Sequence, residues 1–406
     1  MTEVMMKRIA VTAGAICAGF LFWIFALNDD PDRLNPISLE AGTLSSGVLP
    51  IEQAITLGQV KGEDGRAVPV LITGLSETTV TAVDLTGHGV SADLDLFKIL
   101  EEVPEAELVA LYSKAVGEAG RTVTQGYPLS QFLPAAGKGH RHIGSGTNFP
   151  EHAEETTSSS VFSFPKFGVA TPPVTSVAYD PEVLLDYEVE ICARFDRDIA
   201  SLADFEAARK GFFLCGDFTD RSTLLKMIDT DNFDSGSGFS DAKSGPGYLP
   251  SGPFLVIPVD WRSFVAQERI ETRLDGALRQ DARGGQMILD FGQLVEKVLD
   301  DSVSTRFLYQ GDRYQLIEDA VVSTGQVLMS GTPEGVIFMP PSPRHMARGV
   351  IRHVVTGAFV GQASGYDSVI ASFIQDELAA KRFLQPGQVV TYASASMGTI
   401  SITVRR

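Results

Sequence analysis

The sequence has few cysteines and few basic residues, and each shortage excludes a class of protein. Only three of the 406 residues are cysteine, too few for a disulfide framework, and no C-x-x-C pair indicates a zinc site. Lysine and arginine number 33 against 51 aspartate and glutamate residues, so the formal net charge is −18. Because a nucleic-acid-binding protein needs a basic face toward the phosphates, this acidic surplus argues against nucleic acid as a partner.

Three common catalytic signatures are also missing. The chain has no G-x-x-x-x-G-K-[ST] phosphate loop, no G-x-S-x-G serine-hydrolase turn and no H-E-x-x-H zinc helix. It does have a hydrophobic fraction of 44%, which allows a sizeable core, together with 39 glycines and 21 prolines. This composition excludes wholesale disorder and favours a β-rich fold with many turns. Together with the helical and strand-like runs described below, it predicts a β-rich α+β fold.

A long hydrophobic run near the N-terminus predicts export. Residues 9–27 carry no charge, and a helix of this length, at about 1.5 Å per residue, would cross the hydrocarbon core of a bilayer. Lys7 and Arg8 precede the run and acidic residues follow it, which keeps residues 1–8 in the cytoplasm. We therefore predict one N-terminal transmembrane helix that anchors an extracytoplasmic catalytic domain, periplasmic in a bacterium. A cleaved signal peptide that releases a secreted protein is the alternative, and a buried core helix is a third.

The rest of the chain is predicted to form two folded units, because one compact core rarely extends over 406 residues. The polar residues 28–48 resemble a linker, and the short apolar runs of residues 49–127 predict a small α+β domain. Residues 128–406 contain the longest strand-like runs and most of the polar clusters, so we expect a catalytic domain there.

Within this domain the spacing of apolar residues separates helices from strands. Helical spacing predicts helices at Leu202–Lys210, Phe291–Leu299 and Ser368–Phe383. Strand-like runs occur at Leu184–Ala193, Gly211–Asp217, Phe254–Val259, Ile270–Leu274 and Val389–Tyr392.

Three acidic residues lie in two of these predicted strands. Glu188 and Glu190 would point to the same face of a strand, and neighbouring carboxylates repel each other unless water or a cation separates them. Asp217 ends an apolar run. Taken by themselves, the two glutamates suit either a solvated polar face or a site for Mg²⁺, Mn²⁺ or Ca²⁺, and Asp217 suits either a metal ligand or a helix N-cap.

A histidine and an acid have the spacing of neighbours on one face of a short helix. Pro150 suits the first turn of a helix, which places His152 and Glu155 on the same side at positions i and i+3. A carboxylate in that position can orient an imidazole for general-base catalysis, whereas the alternative is an exposed histidine on a solvated acidic surface. Thr332 lies in the segment G-T-P-E-G-V, which is either a carboxylate-binding turn or simply a turn.

Taken in order, these segments resemble the fumarylacetoacetate hydrolase family. Seven motifs carry the resemblance over roughly residues 140–400, and each is weak alone but specific in this order. They are Asn148–Glu155 for N-Y-x-x-H-A-x-E, Asp186–Ile191 for D-Y-E-x-E-L, Gly216–Ser222 for N-D-x-S-x-R-D, Ala242–Gly245 for G-K-S-F, Gln280 for a glutamine after N-G, Gly331–Val336 for G-T-P-x-G-V, and Leu384–Val390 for L-x-P-G-D-V-V.

The resemblance implies a mixed β-sandwich roll, usually a homodimer, that binds a divalent cation, Mg²⁺ or alternatively Mn²⁺ or Ca²⁺. The residues that match the family's metal ligands are Glu188, Glu190 and Asp217. Those that match its catalytic residues are His152, Glu155 and Lys243. Those expected to bind substrate are Arg221, Gln280 and Thr332. We expect His152 to activate water, and the cation with Lys243 to stabilise an enolate.

The predicted function is hydrolysis of a carbon–carbon bond in a small 2-oxo or 1,3-dicarbonyl acid of the acylpyruvate or fumarylpyruvate type. One alternative keeps the site but decarboxylates an oxaloacetate-like acid, or hydrates or isomerises a 2-oxo acid. The H-x-x-E pair favours hydrolysis or decarboxylation over isomerisation, because those reactions use a water or proton relay. A second alternative is a non-catalytic module that binds dicarboxylates and needs the cation but not His152.

The chain departs from the family pattern at positions that bear on the substrate. Four residues differ from those of many members, namely Gly216, Ser222, Leu224 and Pro246. In addition, residues 337–383 form an insertion between two motifs, predicted to line the mouth of the pocket or to form an oligomer contact.

Strand register predicts that Cys192 and Cys215 lie close together. Each is two residues from a predicted metal ligand, Glu190 or Asp217, and therefore shares that ligand's face of its strand. If the two strands are antiparallel with these acids opposite each other, the cysteines form the next cross-strand pair, within reach of a disulfide. The alternative is a pair of small buried side chains that are not bonded.

Overall fold

The computed structural model describes residue 19 and residues 42–76, 79–117, 123–156, 160–355 and 364–406. The chain divides into a larger unit, Asn35–Phe338 with Leu384–Arg406, and a smaller unit that includes Met339–Phe383.

The prediction of an N-terminal membrane anchor is corrected by the structure. Among the residues described, no helix combines the length and the apolar character needed to span a bilayer. The predicted transmembrane helix is therefore withdrawn, and so is the extracytoplasmic location that depended on it. Apart from Gly19, the segment 9–27 lies outside the described residues, as do the predicted tail 1–8 and residues 28–41 of the predicted linker.

Most strands of the larger unit belong to one long sheet. These strands are β1 Ala54–Lys61, β2 Ala67–Leu75, β3 Thr79–Asp84, β4 Gln125–Pro128, β5 Arg141–Gly146, β6 Phe162–Phe167, β9 Val189–Phe195, β10 Lys210–Gly216, β12 Phe254–Pro258 and β17 Leu328–Met329. Their order across the sheet is β4-β3-β2-β1-β12-β10-β9-β17-β5-β6. All pairs are antiparallel except the parallel pair of β17 and β5.

A second sheet and two short strand pairs complete the strands of the described chain. The second sheet contains β7 Val174–Ala178, β13 Arg269–Leu274, β14 Ala277–Arg283, β18 Val389–Ser394 and β19 Thr399–Arg405, in the order β14-β13-β18-β19-β7. The short pairs are β8 Leu185–Asp186 with β11 Thr219–Asp220, and β15 Phe307–Tyr309 with β16 Asp312–Tyr314. Two sheets with mixed strand directions and flanking helices confirm the predicted strand-rich α+β fold.

Short helices connect these strands. In the larger unit they are α1 Ile99–Glu102, α2 Glu105–Val116, α3 Pro150–Thr156, α4 Leu202–Ala207, α5 Arg221–Met227, α6 Phe239–Lys243, α7 Trp261–Gln267 and α8 Phe291–Asp300. Helix α8 illustrates two local sequence features, an N-cap and a buried apolar face, that determine where these helices form. The Asp290 side chain accepts from the backbone N–H of Gln293 and so caps the first turn, and the buried side chains recur at helical spacing, at Phe291, Leu294, Val295 and Val298.

The two central strands, β9 and β10, are buried along their whole length and are mainly apolar, although β9 contains Glu190 and Arg194 and β10 begins with Lys210. This is the pattern expected of a strand that is covered on both faces. The predicted run Leu184–Ala193 is interrupted, however, because β8 ends at Asp186 and β9 begins at Val189. Glu188 therefore lies in a short irregular link, and its carbonyl accepts from the N–H of Asp217 at 2.9 Å.

Residues 49–127 contribute β1, β2, β3, α1 and α2, and their strands continue the long sheet. The junction is the antiparallel pairing of β1 with β12, where Leu57 lies opposite Leu255. Both side chains belong to a hydrophobic core that also includes Phe213 of β10 and Leu108 of α2. Because β10 is a neighbour of β12, this core supports one face of the central strands.

Cys192 and Cys215 form a disulfide with a Cα–Cα distance of 5.9 Å, which confirms the predicted proximity. The register differs from the one we predicted. Cys215 pairs with Glu190, and Phe213 pairs with Cys192, so the two cysteines lie diagonally across the strands instead of directly opposite each other.

The smaller unit contains a pair of helices, α9 Pro343–Val355 and α10 Gly365–Ala380, and the second overlaps the predicted helix Ser368–Phe383. Arg348 of α9 donates to Asp376 of α10 at 2.6 Å. Gly349 allows the helices to approach closely, since a Cβ atom there would lie 2.5 Å from the Cα of Val369. The role predicted for this insertion, at a pocket mouth or an oligomer contact, stays a prediction.

Candidate active site

Three buried carboxylates meet beside the central strands of the larger unit. Glu190 lies in β9, Asp217 directly follows β10, and Glu188 lies in the link before β9. One oxygen of each lies within 4.8 Å of the others, and none of the three residues is more than 4% exposed. We call Glu188, Glu190 and Asp217 the carboxylate triad. The burial excludes the solvated polar face as an account of the two glutamates.

The pKa values within the triad differ because its members have different neighbours. Burial raises the pKa of Glu190 well above its ordinary value, and the charges of Asp217 and Glu188 raise it further. Burial also acts to raise the pKa of Glu188, but Lys243 and Arg221 outweigh it and lower that pKa to about 2.

The triad is suited to a divalent cation. The Oε2 atom of Glu190 accepts from the N–H of Gly331 at 2.8 Å, but its buried Oε1 atom has no hydrogen-bond partner. An unpartnered buried carboxylate oxygen is costly unless a cation compensates for it. Mg²⁺, Mn²⁺ and Ca²⁺ all prefer oxygen ligands of this kind. The residues present therefore fit the ion that the sequence predicted.

Two buried lysines contact the triad. Lys243, at the end of α6, donates to Glu188 at 2.6 Å, to Asp217 at 2.6 Å and to Thr219 at 2.8 Å. Lys166 of β6 donates to the other oxygen of Asp217 at 2.6 Å. The sequence analysis missed Lys166, although a lysine in the otherwise apolar run F-S-F-P-K-F signals a buried charge that needs a partner.

Burial and the triad act on the two lysines in opposite directions. Burial lowers the pKa of Lys166 below its usual value, although Asp217 counteracts the effect. Burial would lower the pKa of Lys243 too, but Asp217 and Glu188 together raise it. Lys243 therefore supplies a fixed positive charge in the site.

Arg221 lies at the N-terminus of α5 and closes another side of the triad. Its Nε donates to Asp186 at 2.9 Å and its terminal nitrogen donates to Glu188 at 2.7 Å. The N-cap of this helix is Asp220, whose side chain accepts from the N–H of Thr223. Asp217 is therefore not the cap, which removes the alternative role that its sequence position allowed.

His152 and Glu155 are in contact on α3, as their spacing predicted. Nδ1 of His152 lies 3.0 Å from Oε2 of Glu155, and His152 is only 5% exposed. Because a carboxylate accepts hydrogen bonds, Nδ1 donates and Nε2 is left to take a proton. The other oxygen of Glu155 accepts from the N–H of Gly335 at 2.9 Å, and the carbonyl of Gly335 accepts from the hydroxyl of Tyr187 at 3.1 Å. Tyr187 directly precedes Glu188, so these contacts connect the pair to the triad.

Gln280 and Thr332 are part of a hydrogen-bond network within the protein. The amide nitrogen of Gln280 donates to Thr332 Oγ1 at 2.9 Å and to the carbonyl of Pro333 at 2.8 Å. Its amide oxygen accepts from Thr272 at 2.7 Å and from the N–H of Val189 at 3.2 Å. The side chain of Gln280 thus connects the second sheet, the turn after β17 and the start of β9.

Known proteins resemble this chain in sequence pattern and in fold. The sequence model of the fumarylacetoacetate (FAA) hydrolase C-terminal domain matches residues 141–405, which is well over half of the chain. No protein of curated function has a significantly similar sequence.

Solved structures are similar to the chain in fold. A 2-hydroxyhepta-2,4-diene-1,7-dioate isomerase from Mycobacterium marinum has 17% identity and a TM-score of 0.50, with 87% of this chain and 98% of that one covered. A fumarylacetoacetate hydrolase from the psychrophilic Exiguobacterium antarcticum has 17% identity and a TM-score of 0.48, with 86% and 99% covered. At such low identity, the likeness to the isomerase shows the fold alone.

Proposed function

The chain belongs to the fumarylacetoacetate hydrolase family, and we propose that it is a divalent-cation-dependent hydrolase of a carbon–carbon bond in an acylpyruvate-like acid. The observation that carries the proposal is the buried His152–Glu155 pair, which hydrogen bonds through Gly335 connect to the segment that contains Glu188. A module that only binds dicarboxylates would need the triad but not an oriented imidazole.

We propose that Glu188, Glu190 and Asp217 hold the cation, which we expect to be Mg²⁺, with Mn²⁺ or Ca²⁺ as alternatives. When bound, such a cation acts as a Lewis acid toward the substrate's oxygen atoms. Lys243 and Lys166 add positive charge next to the triad. Positive charge fixed in a buried site stabilises negative charge that develops on the departing enolate.

His152 would take a proton from a water molecule through Nε2, while Glu155 holds Nδ1. The activated water attacks the acyl carbonyl, and the bond between that carbon and the adjacent carbon of the pyruvate part breaks. The bonding electron pair leaves with the pyruvate part as an enolate, which then takes a proton at carbon. The products are a carboxylic acid and pyruvate, so the water supplies all added atoms.

Arg221, Gln280 and Thr332 are proposed to shape the substrate side of the site. Each is buried, at 4%, 0% and 2% exposure respectively, and each makes hydrogen bonds within the protein that restrict its side chain. From the family we also propose a homodimer, which light scattering of the purified protein would test.

A substrate screen tests the reaction. The purified protein with Mg²⁺ or Mn²⁺ is mixed with a series of acylpyruvates and with oxaloacetate, and loss of the enol absorbance is followed. We expect pyruvate and a carboxylic acid from acylpyruvates. Release of CO₂ from oxaloacetate alone would support the decarboxylase alternative, and rearrangement without cleavage would support the isomerase alternative.

The variant His152→Ala tests the role of the base. A positioned general base contributes about 10²- to 10⁴-fold in rate, so kcat should fall by that factor while cation affinity is retained. Glu155→Gln should lose less, because it orients the imidazole and transfers no proton. Near-full turnover by His152→Ala would contradict this mechanism.

A further inference from the structure

We infer that Tyr187 and Arg279 are positioning residues, which hold the His152–Glu155 pair beside the carboxylate triad. They act through the backbone of Gly335. The inference rests on the role proposed above for His152. The contacts form a continuous series from Arg279 to Tyr187, Gly335, Glu155 and His152.

The first step is the contact between Glu155 and Gly335. The two carboxylate oxygens of Glu155 have different partners, since Oε2 contacts His152 at 3.0 Å and Oε1 accepts from the N–H of Gly335 at 2.9 Å. Helix α3 is only seven residues long, so its own hydrogen bonds provide little rigidity. The direction of the Gly335 N–H therefore helps to determine the position of the Glu155 carboxylate. The position of the His152 imidazole, which contacts this carboxylate, depends on it in turn.

The second step concerns the position of Gly335 itself. Its φ of 98° lies in the left-handed region that favours glycine. A Cβ atom at this position would be 1.9 Å from the carbonyl oxygen of Arg279. The backbone of Gly335 thus lies directly against β14, at the residue whose side chain begins the series.

The third step is the hydroxyl of Tyr187, which contacts both Arg279 and Gly335. Arginine can only donate, so the Tyr187 oxygen accepts from Arg279 Nε at 2.7 Å. The hydroxyl hydrogen is then directed to the carbonyl of Gly335, at 3.1 Å. Both residues are buried, since Tyr187 is 0% exposed and Arg279 is 7% exposed. This arrangement holds the carbonyl of Gly335 on one side while its N–H holds Glu155 on the other.

The series connects the proposed base to the proposed cation site. Tyr187 directly precedes Glu188 in the chain, and both lie in the short link between β8 and β9. A displacement of Tyr187 would therefore change the distance between His152 and the triad. Because a displacement of about 1 Å can cost about 100-fold in rate, residues that never touch substrate can control turnover in this way.

The decisive variant is Tyr187→Phe, which removes one oxygen and retains the ring. We expect kcat on the best acylpyruvate to fall by about 10- to 100-fold, with KM and the calorimetric affinity for Mn²⁺ unchanged. In ¹⁵N-histidine-labelled protein, the resonance of the His152 Nδ1–H, assigned by its loss in His152→Gln, should shift or broaden. Tyr127→Phe is the matched control, because it removes the hydroxyl of a buried tyrosine in β4 and should leave kcat and this resonance unchanged.

Two substitutions at the other end of the series give an independent test. Arg279→Met removes the donor and should reproduce the loss of kcat and the change at His152. Arg279→Lys retains a donor at the end of a flexible chain and should restore part of both. If either methionine or phenylalanine variant fails to fold, the remaining one still decides the inference.

The outcomes separate this inference from the proposed function. If His152→Ala abolishes turnover while Tyr187→Phe and Arg279→Met keep both wild-type kcat and the wild-type His152 resonance, the positioning role is overturned and the proposed base stands. If His152→Ala remains active but Tyr187→Phe shifts the resonance, the contacts exist and the proposed function is wrong. A loss of thermal stability in Tyr187→Phe with an unchanged resonance would mean a structural role alone, and would also overturn the inference.

Discussion

Replacing Lys166 with methionine should destabilise the protein in a way that a divalent cation reverses. Lys166 is completely buried, and its Nζ lies 2.6 Å from Oδ1 of Asp217. Removing one partner of a buried ion pair typically costs about 3–5 kcal/mol, because the remaining charge is left without compensation. Asp217 still accepts from Lys243 through its other oxygen, so we expect a loss near 3 kcal/mol, the lower limit of this range.

A cation bound by the triad should recover much of that loss. A ligand at about 100 times its Kd stabilises the native state by about 2.7 kcal/mol, and this value is the expectation for the wild-type protein. In Lys166→Met one positive charge next to Asp217 is missing, so the triad attracts a cation more strongly. The stabilisation by the same concentration of Mn²⁺ should therefore be larger in the variant than in the wild type.

Lys210→Met is the control for the loss of a buried lysine. Lys210 is 6% exposed, and its Nζ donates to backbone carbonyls at the end of α4, including that of Ala208 at 2.9 Å. Thermal unfolding of the three proteins is followed by circular dichroism over a Mn²⁺ titration. Mn²⁺ should stabilise Lys166→Met against thermal unfolding more than it stabilises the wild type, and should not do so for Lys210→Met. Equal additional stabilisation by Mn²⁺ in both lysine variants would refute the reasoning.

Three further predictions test the triad, a buried histidine and the disulfide. Glu190→Gln should abolish Mn²⁺ binding in calorimetry, because it removes the charge of a carboxylate that has an unpartnered buried oxygen, and unchanged affinity would exclude Glu190 as a ligand. Burial lowers the pKa of His142 to about 4, so the unfolded chain binds the additional proton as pH falls below about 6.5. The free energy of unfolding in urea should then decrease by about 1.4 kcal/mol per pH unit from this residue between those pH values, and His142→Gln should lose this part of the pH dependence. The double variant Cys192→Ala/Cys215→Ala opens a loop of 23 residues and should lower the free energy of unfolding by roughly 3 kcal/mol, and a change below about 1 kcal/mol would indicate that the bond does not constrain the unfolded chain.

Much of the site could be predicted from the sequence, because its residues lie in short segments with recognisable local patterns. Strand alternation and the end of an apolar run made Glu188, Glu190 and Asp217 candidates, the family resemblance assigned them to one metal site, and the structure brings them together. The spacing of His152 and Glu155 was sufficient to predict their contact, since the two residues are neighbours on one helix face. The prediction of a membrane anchor was wrong, although the length of the apolar run and the charges on either side of it favoured one.

Contacts between distant segments were decided by tertiary structure. Lys166 and Asp217 are 51 residues apart, and Glu155 and Gly335 are 180 residues apart. No local pattern in either segment specifies the other, because each contact depends on the order in which strands pair and on the register they adopt. The register of β9 with β10, which places Cys215 opposite Glu190, could not be predicted from the local sequence either. Alternation determines which face of a strand a side chain occupies. A shift of the strand pairing by two residues preserves that face, so several registers satisfy the alternation, and only the packing of the whole sheet selects one register.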